Sequence, residues 1–236
     1  MEVQFINGKI MKTKLFIITG ASRGIGKLLF DTYRKKNFKV IGVARTENLD
    51  KDLYSGDVCD LSFIERLKKK LNGDENIVLI NCAGINYNSF AHKSDMTKWK
   101  KVIETNLIGS FQMIQAFLPI MRDVGYGTII NMSSITAQQS TPGVSSYSSS
   151  KSALWGLVRS ISIENASKGI TINNINLGYS EIGMIKEVPA DYLNKIIKSI
   201  PVGRLANSSE IKLTVEFLIK NRFITGSNID LNGGMV

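Results

Sequence analysis

The sequence predicts a doubly wound α/β fold, a central parallel sheet flanked by helices on both faces. Short runs rich in Val and Ile alternate with longer helical patterns from end to end, and strands of that composition separated by helices pair in parallel and are covered on both sides. No repeat, low-complexity tract or Pro/Gly linker divides the chain. Its 236 residues therefore read as one domain, 1–236, with 1–13 as an N-terminal extension.

Taken in order, strands are expected at 15–19, 39–44, 77–81, 127–132, 171–177 and 228–230. Helices are expected at 25–36, 63–71, 98–121, 146–166, 190–199 and 209–220. One connection is short: residues 46–56 link the second expected strand to Asp57, with Ser55 and Gly56 at their end. A crossover helix with its turns needs roughly a dozen residues, so this link reads as a loop or a single turn.

Composition excludes several classes. No stretch approaches the roughly 18 apolar residues of a membrane span. Met11-Lys12-Thr13-Lys14 before Leu15-Phe16-Ile17-Ile18 superficially resembles a signal peptide, but the apolar run stops at Thr19-Gly20 and no cleavage site follows. Residues 1–10 add nothing to that strand, which makes Met11 a candidate start. Cys59 and Cys82 form no CxxC or metal pattern and read as reduced core residues, hence a cytoplasmic, reducing location. His92, the only histidine, sits in a polar loop, which removes His-based triads and metal sites; no metal is expected. The net charge of +10 is spread along the chain, so it indicates anionic small ligands rather than nucleic acid.

The first chemical motif is Gly20-Ala21-Ser22-Arg23-Gly24-Ile25-Gly26, between the first strand and the first helix. Glycines let the backbone approach a pyrophosphate, whose charge rests on the helix N-terminus. The spacing Gly-x-x-x-Gly-x-Gly differs from the usual Gly-x-Gly-x-x-Gly dinucleotide fingerprint. An acid at the end of the second strand would hold the ribose hydroxyl of NAD. Here that position reads Val43-Ala44-Arg45. Arg45 and Arg23 can instead fork around a 2′-phosphate, so NADP(H) is the expected cofactor.

The second is a pair. Tyr147 and Lys151 stand at i and i+4 of a helical pattern, on one face. A free phenol titrates near 10, too high for ready proton exchange at neutral pH. A neighbouring ammonium favours the phenolate and brings it toward working range. Ser134, just past a strand end, can offer its hydroxyl to a substrate oxygen.

Together these pieces resemble the classical short-chain dehydrogenase/reductase family, from about Lys14 to the C-terminus. Thr19 to Gly26 matches the family's TGxxxGxG loop, and Asp57-Val58 looks like the pair that meets the adenine. Asn81-Cys82-Ala83-Gly84 is a variant of NNAG, and Asn106 in Glu104-Thr105-Asn106-Leu107 corresponds to the catalytic Asn. Ser134 and Tyr147-Ser-Ser-Ser-Lys151 match the catalytic Ser and YxxxK. The resemblance implies a Rossmann-type fold in which Tyr147 exchanges the proton. Lys151 lowers its pKa and binds the nicotinamide ribose, Ser134 polarises the carbonyl, and Asn106 holds a relay water. It also implies a homo-oligomer, tetramer or dimer, built from the helices at 98–121 and 146–166.

Within the family the segments Ser167-Lys168-Gly169-Ile170-Thr171-Ile172-Asn173, Pro201-Val202-Gly203-Arg204-Leu205 and Asn232-Gly233-Gly234-Met235 look most like the 3-oxoacyl-(acyl-carrier-protein) reductases, with 184–201 as substrate lid. Three departures from the family pattern bear on substrate: the nicotinamide end of the site, the carrier-docking rim, and the shortened link after Arg45, which removes a helix of typical members. Asn-Pro-Gly after the sixth strand reads Asn176-Leu177-Gly178. The Thr that usually meets the cofactor carboxamide is Ile182, leaving Gly178 and the Ser180 backbone. Gly125 stands where that branch tends to carry a basic residue for carrier-protein docking, while Lys168 keeps a second such charge. The expected substrate is a small molecule or acyl thioester, free or on a carrier protein. A sugar or polyol dehydrogenase remains open, as does a non-catalytic cofactor-binding scaffold, against which the intact Asn106, Ser134, Tyr147 and Lys151 argue.

Overall fold

The computed structural model describes residues 5–6, 9–10, 14–46, 50–139, 141–183, 185 and 189–236. Seven strands form one parallel sheet: β1 (Lys14–Thr19), β2 (Lys39–Ala44), β3 (Leu53–Ser55), β4 (Asn76–Asn81), β5 (Gly127–Ser134), β6 (Ile170–Leu177) and β7 (Asn228–Leu231). Their spatial order is β3-β2-β1-β4-β5-β6-β7, each neighbour pair parallel. The order reverses between β1 and β4, and the crevice beyond their C-terminal ends is where open α/β sheets bind ligands. Within the extension expected at 1–13, Phe5–Ile6 and Lys9–Ile10 pair as an antiparallel hairpin; the rest of 1–13 lies outside the described residues.

Among the described residues seven α-helices flank the sheet: α1 (Gly24–Lys35), α2 (Leu61–Lys68), α3 (Met96–Ile103), α4 (Gly109–Val124), α5 (Ser145–Asn165), α6 (Ala190–Ser199) and α7 (Ser208–Lys220). Side chains alternate across each strand, so one face buries Ile17, Leu79, Ile129 and Ile172 against α2, α4 and α5. The other buries Phe16, Ile18, Val78 and Ile130 against α1 and α7. Both faces are dry, as an all-parallel sheet requires.

Two expectations change. The link after β2 contains a strand, β3, paired with Gly42–Ala44. Gly56 donates to the Ala44 carbonyl at 2.8 Å, and the loop reading holds for the described residues before it, which contain no helix. The helix expected at 98–121 is interrupted. Between α3 and α4, Glu104–Ile108 form a π turn, whose closing bond runs from Gly109 N–H to the Glu104 carbonyl. The two cysteines are half-buried at the core margin rather than within it. His92 is exposed, as expected.

Candidate active site

The glycine turn lies at the sheet's reversal. Ala21 N–H bonds the Val43 carbonyl at 3.1 Å, bringing the turn against the end of β2. Gly20 has φ +67, and a Cβ there would lie 2.9 Å from Ala83 N; at Gly26 it would lie 2.2 Å from the Gly20 carbonyl oxygen. Only glycine fits either position. The Thr19 hydroxyl accepts from the amides of Cys82 (3.1 Å) and Ala83 (3.0 Å), tying this turn to the loop after β4.

The N-terminus of α1 carries no side-chain cap. Asp60, Asp95 and Asn207 cap α2, α3 and α7 through their side chains, whereas Arg23 gives α1 no side-chain cap. The first-turn amides of α1 thus remain available beside two glycines, an arrangement that suits a phosphate. Arg23 and Arg45 are exposed and make no ion pair among the described residues. Asp57 bonds the Cys59 amide at 2.9 Å through one carboxylate oxygen. Val58 is buried and packs so closely on α4 that a Cβ at Gly109 would sit 2.6 Å from it.

At the C-terminal end of β5, Ser134 is buried and its hydroxyl accepts from Thr136 N–H at 3.2 Å. Burial pushes the Tyr147 phenol's pKa up, and the neighbouring Ser134 hydroxyl draws it down. Lys151 lies one turn further along α5, its ammonium 5.5 Å from the Tyr147 ring centre. Lys151 Nζ donates to the Met132 carbonyl at 2.6 Å, and burial brings its pKa down to about 8. The sequence-expected trio therefore meets in space. Beside it, burial pushes the Cys82 thiol up to about 12.

Asn106 sits in the middle of the π turn and is fully buried. Its Oδ1 accepts from Ile85 N–H (2.8 Å) and its Nδ2 donates to the Ile85 carbonyl (2.9 Å) and Ser150 Oγ (3.0 Å). It thus clamps the loop after β4 to α5. π turns often mark functional sites. Ser150 went unnoticed in the sequence, although it lies within Tyr147-Ser-Ser-Ser-Lys151.

Asn81, at the end of β4, donates through Nδ2 to Asn131 Oδ1 at 2.9 Å. Asn131 donates to Asn174 (3.1 Å) and Asn174 to Asn228 (2.7 Å), a line of amides across four strands in register. Ala83 and Gly84 follow at the cleft, where a Cβ on Gly84 would approach Asn106 and Lys151.

On the far wall, Leu177 extends β6 by pairing with Leu231, and Gly178 N–H bonds the Leu231 carbonyl at 2.9 Å. Ser180 is buried, with Oγ donating to the Ile182 carbonyl at 2.9 Å. The loop leans on the glycine turn, since a Cβ at Gly24 would lie 3.5 Å from Gly183 Cα. Of the segment expected to form a lid, 184 and 186–188 lie outside the described residues, and the remainder includes α6.

A short chain dehydrogenase family model matches residues 14–193. The chain is 36% identical to an acetoacetyl-CoA reductase of Rhizobium meliloti, over 94% of this chain and 98% of that protein. It is 33% identical to a 3-oxoacyl-[acyl-carrier-protein] reductase of Escherichia coli, over 94% and 97%. Among solved structures, it superposes with a TM-score of 0.86 on a ligand-free aldohexose dehydrogenase of Thermoplasma acidophilum, at 26% identity and covering 95% and 94% of the two chains. A protein assigned as an NAD(P)-dependent gluconate 5-dehydrogenase of Beutenbergia cavernae, with NADP bound at low occupancy, gives the same score at 25% identity over 95% and 97%. The chain belongs to the short-chain dehydrogenase family and is an oxidoreductase acting on CH–OH or carbonyl groups.

Proposed function

We propose that this chain is an NADP(H)-dependent reductase of 3-oxoacyl thioesters, with Tyr147 exchanging the proton. The observation that carries the reading is the meeting of three groups: the buried Ser134 hydroxyl, the neighbouring Tyr147 phenol and the buried Lys151 ammonium 5.5 Å from its ring centre. Catalytic roles are assigned to Asn106, Ser134, Tyr147 and Lys151. Ser134 bonds the substrate oxygen and holds it beside the phenol. Tyr147 then gives or takes the proton at that oxygen. Lys151 carries positive charge next to the ring, which favours phenolate and opposes the effect of burial. Asn106 fixes the floor of this arrangement through Ile85 and Ser150.

The residues fit a phosphorylated dinucleotide, because Gly20 and Gly26, where a Cβ would collide with the main chain of Ala83 and Gly20, let the turn close beside the α1 amides that no side chain caps. Gly20 to Gly26 and the uncapped amides of α1 take the pyrophosphate. Arg23 and Arg45, with no acidic partner among the described residues, take the 2′-phosphate. Asp57 and Val58 meet the adenine; Asn81, Ala83 and Gly84 line the ribose side with Tyr147 and Lys151. Gly178 and Ser180 face the carboxamide. When bound, the nicotinamide supplies or accepts the hydride.

The thioester reading draws on relatives that reduce acetoacetyl-CoA and 3-oxoacyl carrier proteins. Gly169 packs against the Gly125 carbonyl, and Lys168 next to it keeps a positive charge on that rim for an acidic carrier. Assembly as a homo-oligomer is supported by exposed Ile108 and Phe111 on the π turn and α4. A cytoplasmic location fits two unpaired cysteines, and among the described residues no helix is long and apolar enough to cross a membrane. The test is a spectrophotometric screen with NADPH and NADH against acetoacetyl thioesters and a carbonyl panel. NADPH oxidation lost in Tyr147→Phe, with cofactor binding retained, is expected. Turnover of sugars alone would favour the second reading, a sugar or polyol dehydrogenase. That reading draws on the sugar dehydrogenases among the similar structures and on polar Asn86, Asn88 and Gln138 in the loops after β4 and β5.

A further inference from the structure

We propose that Asp230, on edge strand β7, is a positioning residue for this site: its carboxylate holds the loop that follows Ser134 and, through Asn176 and Trp155, the helix that carries Tyr147 and Lys151. This rests on the proposed roles of Ser134 and Tyr147.

Two donors converge on the carboxylate. Gln138 Nε2 reaches both oxygens, at 3.2 and 3.4 Å, and Asn176 Nδ2 reaches Oδ1 at 2.8 Å. Asn176 is fully buried, and its Oδ1 accepts from Trp155 Nε1 at 3.1 Å. An indole can only donate and a carboxylate only accept, so the Asn176 amide has one orientation that serves both. Trp155 lies at i+8 from Tyr147 and i+4 from Lys151, on the same stripe of α5. Gln138 lies just past the short turn after Ser134, and this turn also docks on α5 through Ser152 Oγ and the Ala137 carbonyl at 3.0 Å.

Removing the carboxylate strands the buried Asn176 amide. It regains an acceptor only by turning over, which breaks the Trp155 bond. Gln138 is released at the same time. Both sides of the Ser134–Tyr147 pair lose an anchor, while the cofactor cradle at the other end of the crevice keeps all of its own.

The experiment compares Asp230→Leu with Asp230→Asn in the full chain, using NADPH and acetoacetyl-CoA. In Asp230→Leu, kcat is expected to fall roughly 10- to 100-fold, as sub-ångström misplacement of reacting groups does, with KM for NADPH unchanged. Asp230→Asn should restore turnover, because its carbonyl still accepts from Asn176 and Gln138 can rotate to present its own oxygen. A second readout needs no substrate: tyrosinate absorbance against pH, with Tyr147 assigned by subtracting Tyr147→Phe. The titratable groups facing it, Lys151 on its own helix and Cys82 near that lysine, are untouched in every variant. The Tyr147 transition should move upward in Asp230→Leu and stay in place in Asp230→Asn. Should Asp230→Leu fail to fold, exposed Gln138→Ala should move the transition the same way. A wild-type transition in Asp230→Leu, or in Gln138→Ala where it replaces that variant, overturns the proposal, as does a loss in Asp230→Asn equal to that in Asp230→Leu. A wild-type chain inert to acetoacetyl-CoA sinks the thioester reading instead and leaves the titration to decide.

Discussion

Lys151 and Met132 are joined by a 2.6 Å bond from the ammonium to the main-chain carbonyl, two residues before Ser134 on the same strand. That single carbonyl is the ammonium's only hydrogen-bond partner among the described residues. Burial therefore depresses its pKa to about 8. Between about 8 and the ordinary lysine value the unfolded chain binds more protons than the folded one, so this group's contribution to stability rises with pH across that window. Below about 8 the full desolvation penalty applies. Lys151→Met should thus lower turnover roughly 100-fold or more while keeping or raising the thermal midpoint at pH 7. The gain should shrink as melts are repeated toward pH 10; a midpoint that drops at pH 7 would refute the argument.

Asn106→Leu should be costly in a different way. It leaves the Ile85 amide and carbonyl without partners, at roughly 1–3 kcal/mol for each buried group. Each kcal/mol lowers the melting point of a domain this size by roughly 2–4 °C. Ser150→Ala removes only one of the two acceptors of Asn106 Nδ2 and should be milder. Thermal melts of the two variants side by side test the ranking.

Arg45→Ala should weaken NADPH roughly 10- to 100-fold, the range expected for losing charge-assisted bonds to a phosphate, and leave NADH unchanged. Cofactor titration by fluorescence reads this directly. Equal losses for both cofactors would remove Arg45 from the 2′-phosphate site.

Lys168→Glu should slow reduction of a carrier-bound 3-oxoacyl group and leave the same group on CoA unaffected. The wild-type rate with the carrier should fall with added salt, because rim charges act mainly on encounter. Parallel assays with the two thioesters distinguish docking from chemistry.

Much of this was legible in the sequence. Val- and Ile-rich runs gave six of the seven sheet strands, and motif spacing gave every residue of the Ser134–Tyr147–Lys151 cluster. What escaped notice has physical reasons. Leu53–Ser55 is too short to show a period. The π turn at Glu104–Ile108 adds one residue to a helix whose apolar pattern continues on both sides, so periodicity runs through it unmarked. Gln138 and Asp230 are polar residues at a loop and a strand edge, where solvent is the ordinary partner. Only the convergence of Gln138 and buried Asn176 on the Asp230 carboxylate shows otherwise.

The line of amides from Asn81 through Asn131 and Asn174 to Asn228 works as a checksum on strand order. Slip any one of those strands by a residue and its amide turns to the opposite, dry face, leaving its neighbours unmatched. Apolar packing tolerates many near-miss alignments of similar energy, whereas this row accepts one. The half of the sheet that presents Ser134 therefore has one register in which every amide of the row is matched.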